Sequence, residues 1–242
     1  MITALMEYGI EYPGKYAPNL EQRIITEANY PKYKNQNQWG EVYEATGKAI
    51  DRFEGDCLEL SAGTGRNTRK MLKNPEITSV LATDIDPRPL EILYANISDE
   101  YKSKLKIQSG INLLEKLPFK DNAFYGTLVA GVAHFFEIPD FIRICNELGR
   151  VTKKRLVIEL ETDVERTTLE GKPLSYIYGG SPDDLKIYSS EKAKELLQEL
   201  FEGYNFDVSI TPFEGVLRAE STDYSVPPYL LACNTIVFNM KK

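Results

Sequence analysis

The chemistry in this chain centres on residues 58–68, Leu-Glu-Leu-Ser-Ala-Gly-Thr-Gly-Arg-Asn-Thr. An apolar run enters a turn of very small residues and then a helical pattern. Small residues let the backbone approach a ligand closely, and the unpaired amides at a helix start favour an anionic group. Nineteen residues past Gly65, at the end of the next apolar run, stands Asp84. A carboxylate there can accept two hydrogen bonds from a ribose diol. Two glycines alone are equally compatible with an ordinary tight strand–helix turn. The strand before, the helix after and the acid at the next strand's end together point to a nucleoside-bearing ligand. The single histidine, His134, follows a later apolar run in Ala130-Gly-Val-Ala-His-Phe-Phe136. An imidazole with an unperturbed pKa near 6.5 can take a proton at neutral pH, or can be a hydrogen-bonded structural residue among apolar neighbours.

The elements that must position these residues alternate between strand and helix. Strand patterns fall at 56–61, 78–83, 105–108, 124–132 and 155–160, and helical ones at 68–73 and 141–148. Asp86-Pro87 is a helix start, with an N-cap carboxylate and proline at the first helical position, followed by the stripe Leu90, Leu93, Tyr94, Ile97. Helical spacing also links Trp39, Val42, Tyr43, Ala49, Ile50 and Phe53. Ser190 reads as the cap of a helix with Ala193, Leu196, Leu197, Leu200 and Phe201 on one face. Two final strands, at 206–210 and 230–238, have no helix between them and read as an antiparallel edge pair. The expected fold is α/β: a doubly wound, mostly parallel seven-stranded sheet closed by that pair.

Domain organisation follows from the same pass. Residues 1–40 form a tyrosine-rich N-terminal cap segment, and 41–242 form one domain. Stretches at about 161–189 and 211–229 fit no regular element and are expected to be substrate loops near the carboxyl ends of strands.

Composition narrows the partners. The 242 residues carry 36 acidic and 29 basic side chains, a net charge of −7 that makes a nucleic-acid backbone an unfavourable partner. No apolar run approaches the ~20 residues of a membrane-spanning helix, and the N-terminus lacks the basic start and apolar stretch of a signal peptide. Cys57, Cys145 and Cys233 lie far apart in apolar surroundings and read as buried thiols of a cytoplasmic protein. With one histidine and no closely spaced ligands, a metal site is not expected. The subunit number is open.

Four segments resemble the class I S-adenosylmethionine-dependent methyltransferases, in particular the small-molecule branch. Glu59-Leu-Ser-Ala-Gly-Thr-Gly65 is similar to the E/D-x-G-x-G-x-G motif, with Ser61 in place of the first glycine. Thr83-Asp-Ile-Asp-Pro87 resembles the second motif, and Lys116-Leu-Pro-Phe-Lys-Asp-Asn-Ala-Phe124 the L-P-F-x-D-x-x-F segment. Gly149-Arg-Val-Thr-Lys-Lys154 resembles the run before the fifth strand, and the resemblance spans about residues 40–240. It departs from the family at Ser61, which fits only with a negative φ, and at Tyr125-Gly126, where many relatives carry an acid.

The resemblance implies S-adenosylmethionine as cofactor and methyl transfer to an O, N or C nucleophile of a small molecule. Glu59, Ser61, Ala62, Gly63, Thr64 and Gly65 would contact the methionine portion through backbone atoms, with Asn67 in support. Asp84 would hold the ribose, and Ile85 and Pro89 would enclose the adenine. Gly110, Ile111 and Asn112 would edge it, and Ala130 and Val132 would line the strand end beneath the sulfonium. His134 is the candidate base for acceptors that need deprotonation. Tyr16, Tyr30 and Tyr33, with Tyr176 and Tyr178, are candidate substrate residues, because aromatic faces stack on flat molecules and stabilise cations by roughly 0.5–2 kcal/mol. Two other readings use the same loop: a protein of this fold that binds the cofactor without methyl transfer (a lyase, cyclase or regulator), and an NAD-dependent oxidoreductase. In the second, the fingerprint's third glycine would fall at Thr68.

Overall fold

A computed structural model describes residues 42–168, 189–217 and 229–242. Its strands are β1 (Gly55–Leu60), β2 (Ile77–Asp84), β3 (Leu105–Ser109), β4 (Phe124–Ala130), β5 (Thr152–Thr168), β6 (Asn205–Leu217) and β7 (Tyr229–Lys241). They form one seven-stranded sheet in the order β3-β2-β1-β4-β5-β7-β6. The first five strands in that order are parallel, while β7 runs antiparallel to both β5 and β6. This is the doubly wound sheet with a closing antiparallel pair that the strand–helix alternation predicts.

Two layers of helix seal the sheet. Helices α1 (Glu44–Ile50), α2 (Arg66–Lys73) and α3 (Pro87–Asn96), with the single-turn α4 (Asp99–Lys102), precede α5 (Ile138–Val151) and α6 (Ser190–Leu200). Ile50, Met71, Leu72, Leu90 and Leu93 pack on one face around Val80, Leu128 and Val157. Phe141, Ile144, Leu148, Ala193 and Leu197 pack on the other around Leu58, Leu60 and Val129. Helix α5 buries Phe141, Ile144, Cys145, Leu148 and Val151 at helical spacing. At about 1.5–3 kcal/mol for each large side chain, that stripe fixes the helix on the sheet. Cys57 and Cys145 are buried and unpaired with each other, and burial pushes the Cys57 thiol up to about 12. Cys233 lies outside the described side chains.

Several boundaries differ from the expected ones. Helix α1 covers only Glu44–Ile50 of the predicted 39–53 stretch, because Asp51 and Arg52 turn the chain into β1; Trp39 lies outside the described residues. Helix α5 starts before Phe141, with Pro139 in its first turn, where a missing N–H costs nothing. The cap of α6 is Ser189, which accepts from Lys192 N at 3.1 Å, and not Ser190.

The largest correction concerns the two expected loops. β5 continues to Thr168 and β6 to Leu217, so residues 161–168 and 211–217 are strand. Neither stretch carries apolar alternation, and both are strands through pairing with β7, β5 from Arg155↔Lys241 to Thr168↔Tyr229 and β6 from Asn205↔Lys241 to Leu217↔Tyr229. Pro212 is tolerated because β6 is an edge strand. Residues 169–188 and 218–228, with the 1–40 segment, lie outside the described residues, as do Tyr16, Tyr30, Tyr33, Tyr176 and Tyr178.

Candidate active site

The carboxyl ends of β1, β2, β3 and β4 meet at one edge of the sheet. β1 gives way there to the glycine loop. Ala62 N donates to Thr83 O at 2.8 Å, and Gly63 N donates to the Asp84 carboxylate at 2.9 Å. The loop is therefore held against the end of β2 by both backbone and side chain. Gly65, at φ +90°, caps α2, and a methyl group on it would fall 2.1 Å from Leu93 Cδ1. Only glycine lets the loop sit that close to α3. Ser61 has a φ of +56°, so the condition under which serine is easily tolerated there, a negative φ, is not met. The turn requires a left-handed residue at that position, and the side chain bears the associated strain.

Open space faces this edge. No atom of the described residues lies within 4 Å of where a Cβ would stand on Gly63, Gly110 or Gly131, all at positive φ. These three glycines follow β1, β3 and β4, and together they outline a cradle along the strand ends. Asn67, in the first turn of α2, is 4% exposed, and no donor among the described residues reaches its Oδ1. A buried acceptor of that kind takes its donor from a bound ligand, an ordered water or the rest of the chain. Thr64 is buried too, its carbonyl accepting from Arg69 at 3.3 Å.

Asp84 also accepts from Asp86 N at 3.2 Å, which fixes its orientation at the tip of β2. The second acid of the motif has a different job: Asp86 is 1% exposed, caps α3 through Arg88 N at 2.9 Å and pairs with the Arg88 side chain. Ile85 is half-buried and Pro89 buried. After β3, Gly110 N reaches Ile85 O and Ile111 N reaches Asp84 O, both at 3.3 Å. The Ile111 side chain is a core group packed with Leu58 and Leu60. Asn112 accepts from Leu114 N at 3.0 Å and donates to Glu115 at 3.1 Å, so its amide shapes its own turn.

Glu59 lies in β1, one residue before its end. It is 2% exposed, and one carboxylate oxygen accepts from Thr68 Oγ1 at 2.5 Å. Burial raises its pKa to about 7, partly offset by the Thr68 hydroxyl and the nearby Arg66.

Past β4, Ala130 and Val132 flank Gly131, whose N–H donates to Glu159 O at 3.1 Å. His134 sits in the 3-10 turn Ala133–Phe135 and is fully buried. Its Nδ1 accepts from Glu161 N at 3.1 Å, and its ring lies 4.3 Å from that of Phe135. This geometry fits a strut between the turn and β5 better than a base open to an acceptor.

Glu159, Arg66, Thr46 and Tyr43, none of them a site candidate in the sequence, form a cluster at the start of α2. Glu159, 1% exposed on β5, accepts from Arg66 Nη2 at 2.5 Å and from the Thr46 hydroxyl. The Arg66 guanidinium lies 5.0 Å from the ring centroid of Tyr43. Burial works against the charge on Arg66, and Glu159 more than restores it. Burial, then the charge of Glu161, raises the Tyr43 phenol. The legible signal was Glu159 itself, a single acid inside the apolar run Leu156-Val-Ile-Glu-Leu160.

Comparison with known proteins bears on the domain and its fold. A family model for a methyltransferase domain matches residues 57–155. No curated protein sequence matches the chain. Among solved structures, a candidate methyltransferase from Bacillus halodurans C-125 superposes with a TM-score of 0.59 at 15% identity, covering 82% of this chain and 97% of that one. Phosphoethanolamine N-methyltransferase 2 of Haemonchus contortus, in complex with S-adenosyl-L-methionine, gives 0.58 at 12% identity, covering 91% of this chain and 59% of that one. A SAM-dependent methyltransferase from Aquifex aeolicus gives 0.51 at 14% identity, covering 89% and 97%. At these identities the structures speak for the fold, and the matched domain and its glycine loop speak for the chemistry. Residues 57–155 therefore match a methyltransferase domain, on a fold shared with S-adenosylmethionine-dependent methyltransferases.

Proposed function

We propose that this enzyme methylates an O, N or C nucleophile of a small-molecule acceptor, with the cofactor lying along the edge formed by Gly63, Gly110 and Gly131. Bound S-adenosylmethionine supplies a methyl carbon activated by positively charged sulfur. The chain's own work is to bind, orient and exclude water. Asp84 accepts from the ribose hydroxyls, Asn67 Oδ1 accepts from the donor-bearing methionine end, and Ile85 and Pro89 flank the base. Ala130 and Val132 form the floor under the reacting centre. The observation carrying this assignment is the buried Asn67 Oδ1, which has no donor among the described residues, in the turn after the glycine loop at the strand ends.

The small-molecule acceptor is supported by the shape of the edge. Ala130, the last residue of β4, pairs with Glu159, and β5 runs on to Thr168 together with β7 and β6. At about 3.3 Å per residue this three-stranded extension stands well over 20 Å beyond the end of β4. Such a wall encloses one side of the site, as a pocket for a compact acceptor requires. The net charge of −7 also disfavours a nucleic-acid acceptor.

The test is to incubate the enzyme with methyl-labelled S-adenosylmethionine and total cell extract, then separate the products by size. Label in the low-mass fraction supports the proposal. Label confined to protein or RNA rejects the small-molecule acceptor.

A further inference from the structure

Glu159, through its backbone carbonyl and its buried carboxylate, ties together three segments bordering the cradle. Its backbone carbonyl accepts from Gly131 N, which fixes the turn after β4. One carboxylate oxygen takes Arg66, the first residue of α2, directly after Gly65 of the glycine loop. The other takes the hydroxyl of Thr46 in α1, itself fully buried. Tyr43, just before α1, lies over the same guanidinium at 5.0 Å. The start of α2 and helix α1 therefore meet on one carboxylate, while the carbonyl of the same residue holds the Gly131 turn.

An apolar pair of similar volume would serve packing equally well. Burying two charges costs desolvation that their attraction only offsets when geometry and additional hydrogen bonds are good, and replacement by hydrophobic residues is often neutral for stability. What an apolar pair cannot supply is a fixed direction. The Glu159–Arg66 bond at 2.5 Å, with the Thr46 hydroxyl on the other oxygen, sets where α2 begins relative to the end of β4. Those two points are the opposite shoulders of the cradle.

We propose that Glu159 and Arg66 are positioning residues that set the separation between the glycine loop and the Gly131 turn, and so the affinity for the adenosyl ligand, without either side chain touching it. This rests on the assignment of the cradle as the cofactor site. A change of one residue at a time leaves a buried charge unpaired, whereas the double change E159L/R66M removes both charges and keeps the volume apolar.

The experiment measures, for the full chain, the melting temperature without ligand and the dissociation constant for S-adenosylhomocysteine by calorimetry. E159Q is expected to melt below the wild type and to bind at least tenfold more weakly. E159L/R66M is expected to recover most of the melting temperature and to remain at least tenfold weaker. A double variant that regains wild-type affinity along with stability would make the pair a merely structural contact and overturn the proposal. If the double variant does not fold, T46V decides the matter, since it removes one tie without stranding a charge. Severalfold weaker binding at near-wild-type melting temperature supports the proposal, and unchanged affinity rejects it. Failure of the wild type itself to bind S-adenosylhomocysteine would instead count against the cradle as the cofactor site.

Discussion

The amide of Gly63 donates to the carboxylate of Asp84 at 2.9 Å, joining the glycine loop to the tip of the neighbouring strand. The acid proposed to hold the sugar also holds the loop proposed to hold the methionine end, so the two halves of the cradle form one unit. Asp84→Ala is expected to weaken S-adenosylhomocysteine binding by about 10- to 100-fold, the loss of hydrogen bonds to a charged group at about 1.5–3 kcal/mol. Asp84→Asn should fall between the two. Titration calorimetry measures both, and wild-type affinity in Asp84→Ala would place the ribose elsewhere.

Ser61 occupies the left-handed region at φ +56°. A side chain there costs roughly 1–2 kcal/mol, while glycine brings an entropy cost of about 0.5–1 kcal/mol. Ser61→Gly should therefore melt at or slightly above the wild-type temperature and bind the ligand at least as well. Ser61→Val, β-branched and ill-suited to positive φ, should lose about 1–3 kcal/mol. Thermal unfolding of the two variants checks the order, and equal stability of the valine variant would contradict the strained turn.

Glu59 gives the fold a pH dependence. Its carboxyl stands at 4.5 when unperturbed and about 7 in the folded protein, so the folded state holds this proton more tightly. The stabilisation is complete below about pH 4.5 and is lost as pH rises through about 7, a change on the order of 3 kcal/mol. Glu59→Gln, which stays neutral, should remove this slope. The difference in unfolding free energy between wild type and variant should therefore move against the wild type from pH 5 to 7.5. A constant difference would show that Glu59 is ionised throughout.

His134 was the sequence's candidate base, and its buried Nδ1 accepts from Glu161 N. His134→Ala should lose about 1–3 kcal/mol by stranding that amide. His134→Asn offers an oxygen in place of Nδ1 and should recover much of the loss. Turnover of the folded asparagine variant on the labelled low-mass fraction should stay within about tenfold of wild type, whereas removing a general base costs about 10²–10⁴-fold. A loss in the larger range would restore the catalytic role.

The sheet was legible because its strands are apolar runs joined by capped amphipathic helices, as in Asp86-Pro87 and the α5 stripe. Two family-like segments have a physical meaning the sequence did not reveal. Arg150 donates to Leu117 O at 3.0 Å, Phe119 O at 2.7 Å and Asp121 at 2.9 Å, so the Leu117-Pro-Phe segment and the Gly149-Arg150 run form one clasp remote from the cradle. The ends of β5 and β6 were not legible, since their sequences lack apolar alternation and their strand form shows in the pairing with β7. Arg66 and Glu159 were missed because they lie 93 positions apart, a contact that only the finished sheet creates.

A crystal structure with S-adenosylhomocysteine tests the cradle most directly. The ribose hydroxyls are expected within hydrogen-bond distance of Asp84, with the amino-acid end against residues 63–67 and the adenine beside Ile85 and Gly110. Density for the compound anywhere else, or none at a saturating concentration, would contradict the assignment of this edge as the cofactor site.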